Sequence, residues 1–160
     1  MEETEVCVEI GDESALARLA SQLAAAVSPG LLITLSGPLA AGKTTFARAF
    51  LRALGHQGKV KSPTFTLVES YAFPALTVHH FDLYRLEDPQ ELYFLGFEDY
   101  LKADTLCLIE WPEKGEGMLP PADLAIAMTI LDLTRRRLIV AGRSNRGRQL
   151  LSTWIPPTVL

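Results

Sequence analysis

The chain has 160 residues, of which 48% are hydrophobic and 21% are charged, the balance of one soluble globular domain. Its net charge of −4 is mild, so bulk electrostatics do not indicate direct nucleic-acid binding. No apolar run approaches the roughly 20 residues that a membrane-spanning helix needs, and the acidic first residues do not resemble a signal peptide. We expect a single domain over residues 1–160, with its core between about residues 5 and 151.

The two cysteines favour a cytoplasmic protein. Cys7 and Cys107 each lie in an apolar stretch, and neither has a partner at the spacing of a metal site. We therefore expect reduced, buried thiols rather than a disulfide.

The first half of the chain alternates between strand and helix patterns. A short strand is predicted over residues 5–10, and leucines at helical spacing predict a helix over residues 12–27, with Asp12 or Ser14 as its N-cap. Residues 31–35 form a continuous apolar run, which is typical of a strand buried on both faces. A glycine-bearing loop follows, and then a helix over residues 43–54.

The second half predicts further strands over residues 65–71, 77–82 and 105–110, then 124–130 and 138–141. A helical stretch opens at Asp88-Pro89, with the proline at the first helical position, and a short helix is expected near Gln149. Strands around an early helix predict a three-layer α/β fold with a mixed central sheet.

The glycine-bearing loop matches the phosphate-loop pattern G-x-x-x-x-G-K-[ST] between Gly37 and Thr44. Its context also fits, because a buried strand enters the loop and a helix leaves it. Successive backbone N–H groups and a helix N-terminus favour an anion. Lys43 adds a full positive charge for the β- and γ-phosphates, and the Thr44 hydroxyl is small enough to ligate Mg²⁺. We expect the nucleotide to be bound by Gly37, Pro38, Leu39, Ala40, Ala41, Gly42, Lys43, Thr44, Thr45 and Trp111.

Two carboxylates follow predicted strands and are candidates to complete this site. Asp82 ends one strand, and Glu110 ends another just before Trp111. A phosphate loop needs an acidic group at a neighbouring strand end to hold hydrated Mg²⁺. We assign the metal to Thr44, Asp82 and Glu110, with Glu110 on its water shell or orienting the attacking water. The roles of the two carboxylates could be exchanged.

The adjacent residues His79 and His80 would face opposite sides of a strand, so they do not line one site together. No Lys-x-Asp segment follows Asn or Thr, since Lys102-Ala103-Asp104 is preceded by Leu101, so the guanine-reading motif of GTPases is absent and adenine is the better base.

Four sequence blocks resemble the TsaE family, also called YjeE. They are the phosphate loop, Ser62-Pro63-Thr64-Phe65-Thr66-Leu67-Val68, His80-Phe81-Asp82-Leu83-Tyr84-Arg85 and Glu110-Trp111-Pro112-Glu113. The resemblance runs from about residue 5 to residue 151. It implies a three-layer P-loop NTPase fold and a small ATPase of bacterial tRNA threonylcarbamoyladenosine synthesis.

The resemblance also implies partners and roles. Such proteins work with a TsaB–TsaD complex, which transfers a threonylcarbamoyl group to an adenosine next to the anticodon, and their ATP hydrolysis supports repeated turnover. Thr64 would contact the γ-phosphate from a mobile loop, so that Lys43, Thr64 and Glu110 are the catalytic residues. Trp111 would lie close to the nucleotide.

Two positions depart from the family pattern, because Pro38 replaces an aspartate and Ala40 replaces a glycine. If Ala40 sits at a positive φ, it weakens the loop as a phosphate binder. Six of the ten arginines fall within residues 135–148. They form either a solvated hairpin or a contact surface for tRNA or an acidic partner.

The leading hypothesis is thus an accessory ATPase that uses ATP and Mg²⁺. A small P-loop kinase is an alternative, although it needs an acceptor pocket and a lid with arginines, and the arginine cluster lies in a strand–turn–strand pattern far from the loop. A third hypothesis is an ADP-bound switch or scaffold that does not hydrolyse ATP.

Overall fold

The computed structural model describes residues 4–155, which contain seven strands and four α-helices. In chain order these are β1 Thr4–Ile10, α1 Glu13–Ala26, β2 Leu31–Ser36, α2 Lys43–Ala53, β3 Val68–Ala72, β4 Thr77–Asp82, α3 Glu91–Leu95, β5 Thr105–Glu110, β6 Leu124–Ile130, β7 Arg136–Gly142 and α4 Asn145–Trp154. Among these residues, no helix is both long and apolar enough to cross a membrane.

The strands form one mixed sheet in the order β1-β7-β6-β2-β5-β4-β3. The central strands β6, β2, β5 and β4 are mutually parallel, while β7, β1 and β3 add antiparallel pairs at the two sides. In a parallel sheet the carboxyl ends of the strands meet at one edge, which is where such folds place ligands. The loops after β2, β4 and β5 therefore open at a common edge.

Helices cover both faces of the sheet. On one face, α1, α2 and α4 bury a core that includes Leu23, Phe46, Phe50 and Trp154. On the other face, α3 and the 3₁₀ turn Phe97–Tyr100 cover a smaller cluster around Phe81. Every residue over 31–35 is buried, because β2 lies between the two layers. The predicted three-layer fold with a mixed sheet is confirmed.

Several element boundaries follow the local capping chemistry. Helix α1 begins after Asp12, whose carboxylate accepts the Ala15 N–H at 2.8 Å. Strands β4, β5 and β6 have the predicted bounds. The expected short helix near Gln149 is a ten-residue helix that Ser144 caps by accepting the Gly147 N–H at 2.9 Å.

Three predictions were wrong in detail. Strand β3 begins at Val68 and not at residue 65, because the Leu67 N–H donates to the Pro63 carbonyl and Leu67 has a left-handed φ of 67°. Pro89 lies in the turn before α3 rather than at its first position. Both thiols are free as expected, but only Cys107 is buried, because Cys7 points outward from the terminal strand of the sheet.

Asp123 joins the start of β2 to the start of α4. Its two carboxylate oxygens accept the Leu32 N–H at 2.8 Å and the Ser144 hydroxyl at 2.7 Å. Its carbonyl oxygen accepts the Arg143 N–H at 2.8 Å. Helix α4 approaches this residue so closely that a Cβ on Gly147 would overlap the Asp123 carbonyl oxygen.

We expect Gly147→Ala to destabilise the protein by about 1–3 kcal/mol, because the added methyl group must displace α4 from Asp123. Urea unfolding would measure the free energy of unfolding. Gly11→Ala is the matched control, since a Cβ there has no heavy atom within 4 Å. Equal stability of the two variants would contradict this packing.

Candidate functional site

The phosphate loop connects the carboxyl end of β2 to the N-terminus of α2, and its backbone is left-handed at three positions. The φ angles are 143° at Gly37, 66° at Ala40 and 112° at Gly42. A Cβ on Gly37 would lie 2.7 Å from the Met128 carbonyl oxygen, and a Cβ on Gly42 would lie 2.8 Å from a methyl group of Leu16. Both glycines are thus required by backbone angle, and Gly37 is also required by packing against the Met128 backbone.

Ala40 holds the third left-handed position with a side chain, at a cost of roughly 1–2 kcal/mol. The sequence left open whether Ala40 has a positive φ, and in the structure it does. The carbonyl oxygens of Ala40 and Ala41 accept hydrogen bonds from the Arg136 guanidinium, at 3.3 Å and 2.9 Å. The sequence-based view that the arginine cluster lies far from the loop was therefore wrong for Arg136, because β7 begins beside it.

Arg137 and Arg146, two other arginines of the cluster, have partners near opposite ends of β7. Arg137 pairs with Glu9 at 3.1 Å, close to the start of β7. Arg146 donates to the carbonyl oxygens of Pro29 and Gly30, beyond the other end of β7. The strand's seven residues separate these groups by about 20 Å. Arg137 and Arg146 therefore do not belong to one continuous basic surface.

Helix α2 presents its N-terminus to the loop without a side-chain cap at Gly42, which leaves its first N–H groups available for an anion. Lys43, the first helical residue, is only 5% exposed. Its ammonium group donates to the carbonyl oxygens of Gly37 at 2.5 Å and Pro38 at 2.9 Å. Burial lowers the pKa of Lys43, and the nearby carboxylates of Glu110, Asp82 and Glu113 oppose that shift.

Asp82 and Glu110 end the adjacent strands β4 and β5 and are paired in register. Both are buried, at 7% and 2% exposure. Burial raises the pKa of Asp82, and the Glu110 charge adds to that increase, whereas the N–H of Tyr84 lowers it by donating to the carboxylate at 3.0 Å. The two acids and Lys43 thus form one buried group of charges.

His80 is a residue of this site that the sequence analysis did not assign. Its Nε2 lies 2.6 Å from a Glu110 carboxylate oxygen, and both side chains are buried. Its Nδ1 has no hydrogen-bond partner among the described residues, so the contact of Nε2 with Glu110 is the polar contact that orients the ring. Its place two residues before Asp82 on β4 was the available signal, because such residues share a strand face.

His79 lies on the opposite face of β4, as predicted. Its Nδ1 is 2.7 Å from the Ser70 hydroxyl, and its ring packs edge-on against Tyr100.

The loop, the lysine and the carboxylates surround a cleft of about 360 Å³. The predicted site residues that line it are Leu39, Ala40, Gly42, Lys43, Thr44, Thr45, Thr64, Asp82, Glu110 and Trp111. Gly37, Pro38 and Ala41 do not line it, and Ala41 is buried behind the loop. Tyr84 and Arg85 line the cleft as well, although no role was predicted for them.

Trp111 forms one wall of the cleft. Its backbone is left-handed, with φ 58°, and its N–H donates to the Leu35 carbonyl at 3.2 Å. The Lys43 ammonium lies 4.3 Å from the indole centroid, and the Tyr84 ring packs against the same indole at 4.9 Å. The indole therefore adds a cation–π contact to Lys43.

Thr64 reaches the site from the turn before β3. Its hydroxyl is 2.7 Å from the Ser62 hydroxyl and donates to the Asp82 carboxylate at a long 3.4 Å. The next residue, Phe65, is 81% exposed and stacks on the Arg85 guanidinium at 4.4 Å. This turn is thus attached to the site by one weak hydrogen bond to Asp82 and one exposed stacking contact with Arg85.

The oxygen donors of Thr44, Asp82 and Glu110 suit a hard cation such as Mg²⁺. Over residues 4–155, no group of three or more His, Cys, Asp or Glu side chains is arranged to hold a metal ion. A metal ion in this cleft would therefore need further oxygen ligands from phosphates and water, as Mg²⁺ usually has.

Comparisons with known proteins agree with this architecture. The family model described as "Threonylcarbamoyl adenosine biosynthesis protein TsaE" matches residues 10–138. A Haemophilus influenzae protein named tRNA threonylcarbamoyladenosine biosynthesis protein TsaE is 48% identical over 124 residues, which cover 78% of each chain. A Bacillus subtilis protein of the same name is 37% identical over 132 residues, or 82% of each chain.

The crystal structure of Bacillus subtilis YdiB superposes with a TM-score of 0.83 at 28% sequence identity, and the match covers 96% of each chain. Because the family model and the relatives span most of the sequence, this chain belongs to the TsaE family.

Proposed function

We propose that this protein is an accessory ATPase of tRNA threonylcarbamoyladenosine synthesis, which binds and hydrolyses ATP with Mg²⁺ alongside a TsaB–TsaD-like complex in the cytoplasm. The observation that carries the proposal is the meeting of a left-handed phosphate loop, buried Lys43 and two buried carboxylates around one cleft. The pathway comes from the names of the family and its relatives. The TsaB–TsaD partner and any weak or indirect contact with tRNA come from the family resemblance.

In this proposal the phosphate loop and Lys43 bind the phosphates of ATP or ADP. Lys43 is already fixed by two carbonyl oxygens of the loop, so little side-chain freedom remains to be lost on binding. Because burial lowers its pKa, a phosphate anion beside it stabilises the charged form. The uncapped N-terminus of α2 contributes in the same direction.

Asp82 is the carboxylate that we assign to Mg²⁺, together with Thr44. The bound Mg²⁺ would supply positive charge to the phosphate oxygens during phosphoryl transfer. The raised pKa of Asp82 has burial as its largest cause. A cation beside Asp82 would favour its ionised form, which is the form that ligates a metal.

Glu110 is the group that we assign to orienting the attacking water or the metal's water shell, and the assignments of Asp82 and Glu110 could be exchanged. His80 holds one carboxylate oxygen of Glu110 at 2.6 Å, which leaves the other oxygen to accept a proton from water. A general base must be fixed within hydrogen-bond reach of its proton donor. His80 would act through Glu110 and not on the substrate.

A small kinase is the second enzymatic candidate, but the arginines give it little support. Arg136 donates to carbonyl oxygens of the loop, so it is not a lid arginine facing the γ-phosphate. Arg85 lines the cleft but is stacked on Phe65. The third candidate, an ADP-bound switch, would use the same loop without hydrolysis.

The test of the proposed function is release of phosphate from labelled ATP with and without a TsaB–TsaD complex. We expect slow release by the protein alone and faster release with the complex. A labelled acceptor would identify a kinase, and absence of free phosphate under both conditions would identify a switch. Fast release that the complex does not change would count against an accessory role.

Lys43→Ala should weaken ATP binding at least tenfold, because a charge-assisted contact is worth about 1.5–3 kcal/mol. Calorimetric titration with ATP and Mg²⁺ measures the affinity. Lys59→Ala is the control, since Lys59 is an exposed lysine away from the cleft. Unchanged ATP affinity in Lys43→Ala would refute the assignment of the loop.

Asp82→Asn and Glu110→Gln should separate the two carboxylate roles. Loss of the Asp82 charge should reduce the dependence of ATP binding on Mg²⁺. Loss of the Glu110 charge should spare binding and lower partner-stimulated turnover by about a hundredfold or more. The reverse pattern would exchange the two roles, whereas full turnover in both variants would remove both residues from the site.

A further inference from the structure

Arg136 is the first residue of β7, and its side chain donates hydrogen bonds to main-chain carbonyl groups of the phosphate loop. Its Nε donates to the Ala41 carbonyl at 2.9 Å, and its Nη2 donates to the Ala40 carbonyl at 3.3 Å. Its Nη1 donates to the carbonyl oxygens of Asp132 and Arg135, at 2.8 Å and 2.9 Å. The guanidinium is therefore bound to carbonyl oxygens of its own turn and, at the same time, to carbonyl oxygens of the phosphate loop.

Arg136 reaches the loop from the side opposite the nucleotide cleft. It lines a separate, smaller cleft of about 210 Å³ together with Asp12, Leu16 and Leu133. Ala40 and Gly42 line both clefts, so the loop is the wall between them. Arg136 thus contacts the outer surface of the loop and is not one of the groups that line the cleft with Lys43.

The two hydrogen bonds from Arg136 set the direction of two peptide planes. In a planar trans peptide, the C=O and the following N–H point in opposite directions. Holding the carbonyl groups of Ala40 and Ala41 toward β7 therefore turns the N–H groups of Ala41 and Gly42 away from it. The Ala41 N–H donates to the Pro38 carbonyl at 3.2 Å, which closes the turn, and Gly42 is the N-cap of α2.

The loop needs such support because Ala40 is left-handed, at φ 66°. A residue with a Cβ leaves this region unless its surroundings fix it there. Of the two peptides that Arg136 holds, the one between Ala40 and Ala41 begins at Ala40 itself, and the other follows Ala41. The fork geometry of a guanidinium suits two acceptors at once.

We propose that Arg136 is a positioning residue that keeps Ala40 left-handed and so pre-forms the loop for a phosphate ligand. The proposal rests on the proposed nucleotide binding for its effect on affinity. The effect of Arg136 on the loop conformation is a property of the ligand-free protein. It can therefore be measured separately from the effect of Arg136 on nucleotide affinity.

The first measurement is amide hydrogen exchange at Ala41 in the ligand-free protein. We expect Arg136→Met to speed this exchange at least fivefold, because the turn closed by the Ala41 N–H loses its support. Arg137→Met is the matched control, since it removes the same charge from the next residue, which pairs with Glu9 instead. Equal exchange rates in the two variants would overturn the proposal, whether or not the protein binds nucleotide.

The second measurement is a double-mutant cycle with Ala40→Gly, read by calorimetry with ADP and Mg²⁺. With Arg136 present, Ala40→Gly should tighten ADP binding modestly, because glycine reaches the left-handed conformation freely but leaves the free loop more flexible. Arg136→Met should weaken ADP binding about five- to tenfold in the otherwise unmodified protein, and less than about twofold in the Ala40→Gly background.

Rescue by Ala40→Gly separates positioning from a general loss of stability, which glycine would not restore. A loss of affinity that is equal with and without the Ala40→Gly substitution would overturn the proposal. If Arg136→Met does not fold, Arg136→Lys takes its place, since an ammonium group keeps the charge without the two-pronged geometry. Exchange and affinity that match the unmodified protein in Arg136→Lys would also overturn it. A protein that binds no ADP would refute the proposed function, and the exchange result would still decide the role of Arg136.

Discussion

Three ionisable groups, Lys43, Asp82 and Glu110, are buried together at the carboxyl edge of the sheet, and each requires the others. A buried charge without a partner is costly, so a lone lysine or a lone pair of acids could not occupy this place. The pKa shifts show these interactions. Burial lowers the pKa of Lys43, and the two carboxylates oppose that change. Burial raises the pKa of Asp82, and the Glu110 charge raises it further. The group carries one more negative than positive charge when all three are ionised. A divalent cation is therefore a favourable addition beside Asp82 and Glu110, and phosphate is favourable beside Lys43 and the helix N-terminus.

The sheet is what makes this arrangement possible. Strands β2, β4 and β5 are parallel neighbours, so their ends place the phosphate loop, Asp82 and Glu110 within one cleft. The strands are covered on both faces, so the two carboxylates are largely buried and are open only to the cleft that they line. Groups fixed on strands and on the first turn of a helix keep their geometry better than groups on loops. Thr64 differs in this respect, because it sits in a turn with only a 3.4 Å hydrogen bond to Asp82.

Local patterns predicted most of the frame and part of the site. Apolar runs predicted β4, β5 and β6 with their observed bounds, and the loop motif located Lys43 and Thr44, because these features depend on neighbouring residues in the sequence. The start of β3 was misplaced because apolar residues at Phe65 and Leu67 belong to a turn, which Leu67 enters with a left-handed φ. His80 and Arg136 were missed for a different reason. Their partners, Glu110 and the loop carbonyls, lie 30 and about 95 positions away, and the strand order that joins them follows from packing rather than from local pattern.

The contact between Arg136 and the loop bears on how the site tolerates Ala40. A glycine at that position would remove the strain of the left-handed backbone but would add freedom to the unbound loop. Ala40 held by Arg136 has the opposite effects. The hydrogen bonds from Arg136 offset the backbone strain in the folded protein, and the loop is already confined before a ligand binds. The cost of ordering the loop is then met during folding rather than during binding. The outer β6–β7 hairpin supplies none of the described residues that line the nucleotide cleft, yet through Arg136 it acquires an influence on the groups that do line it.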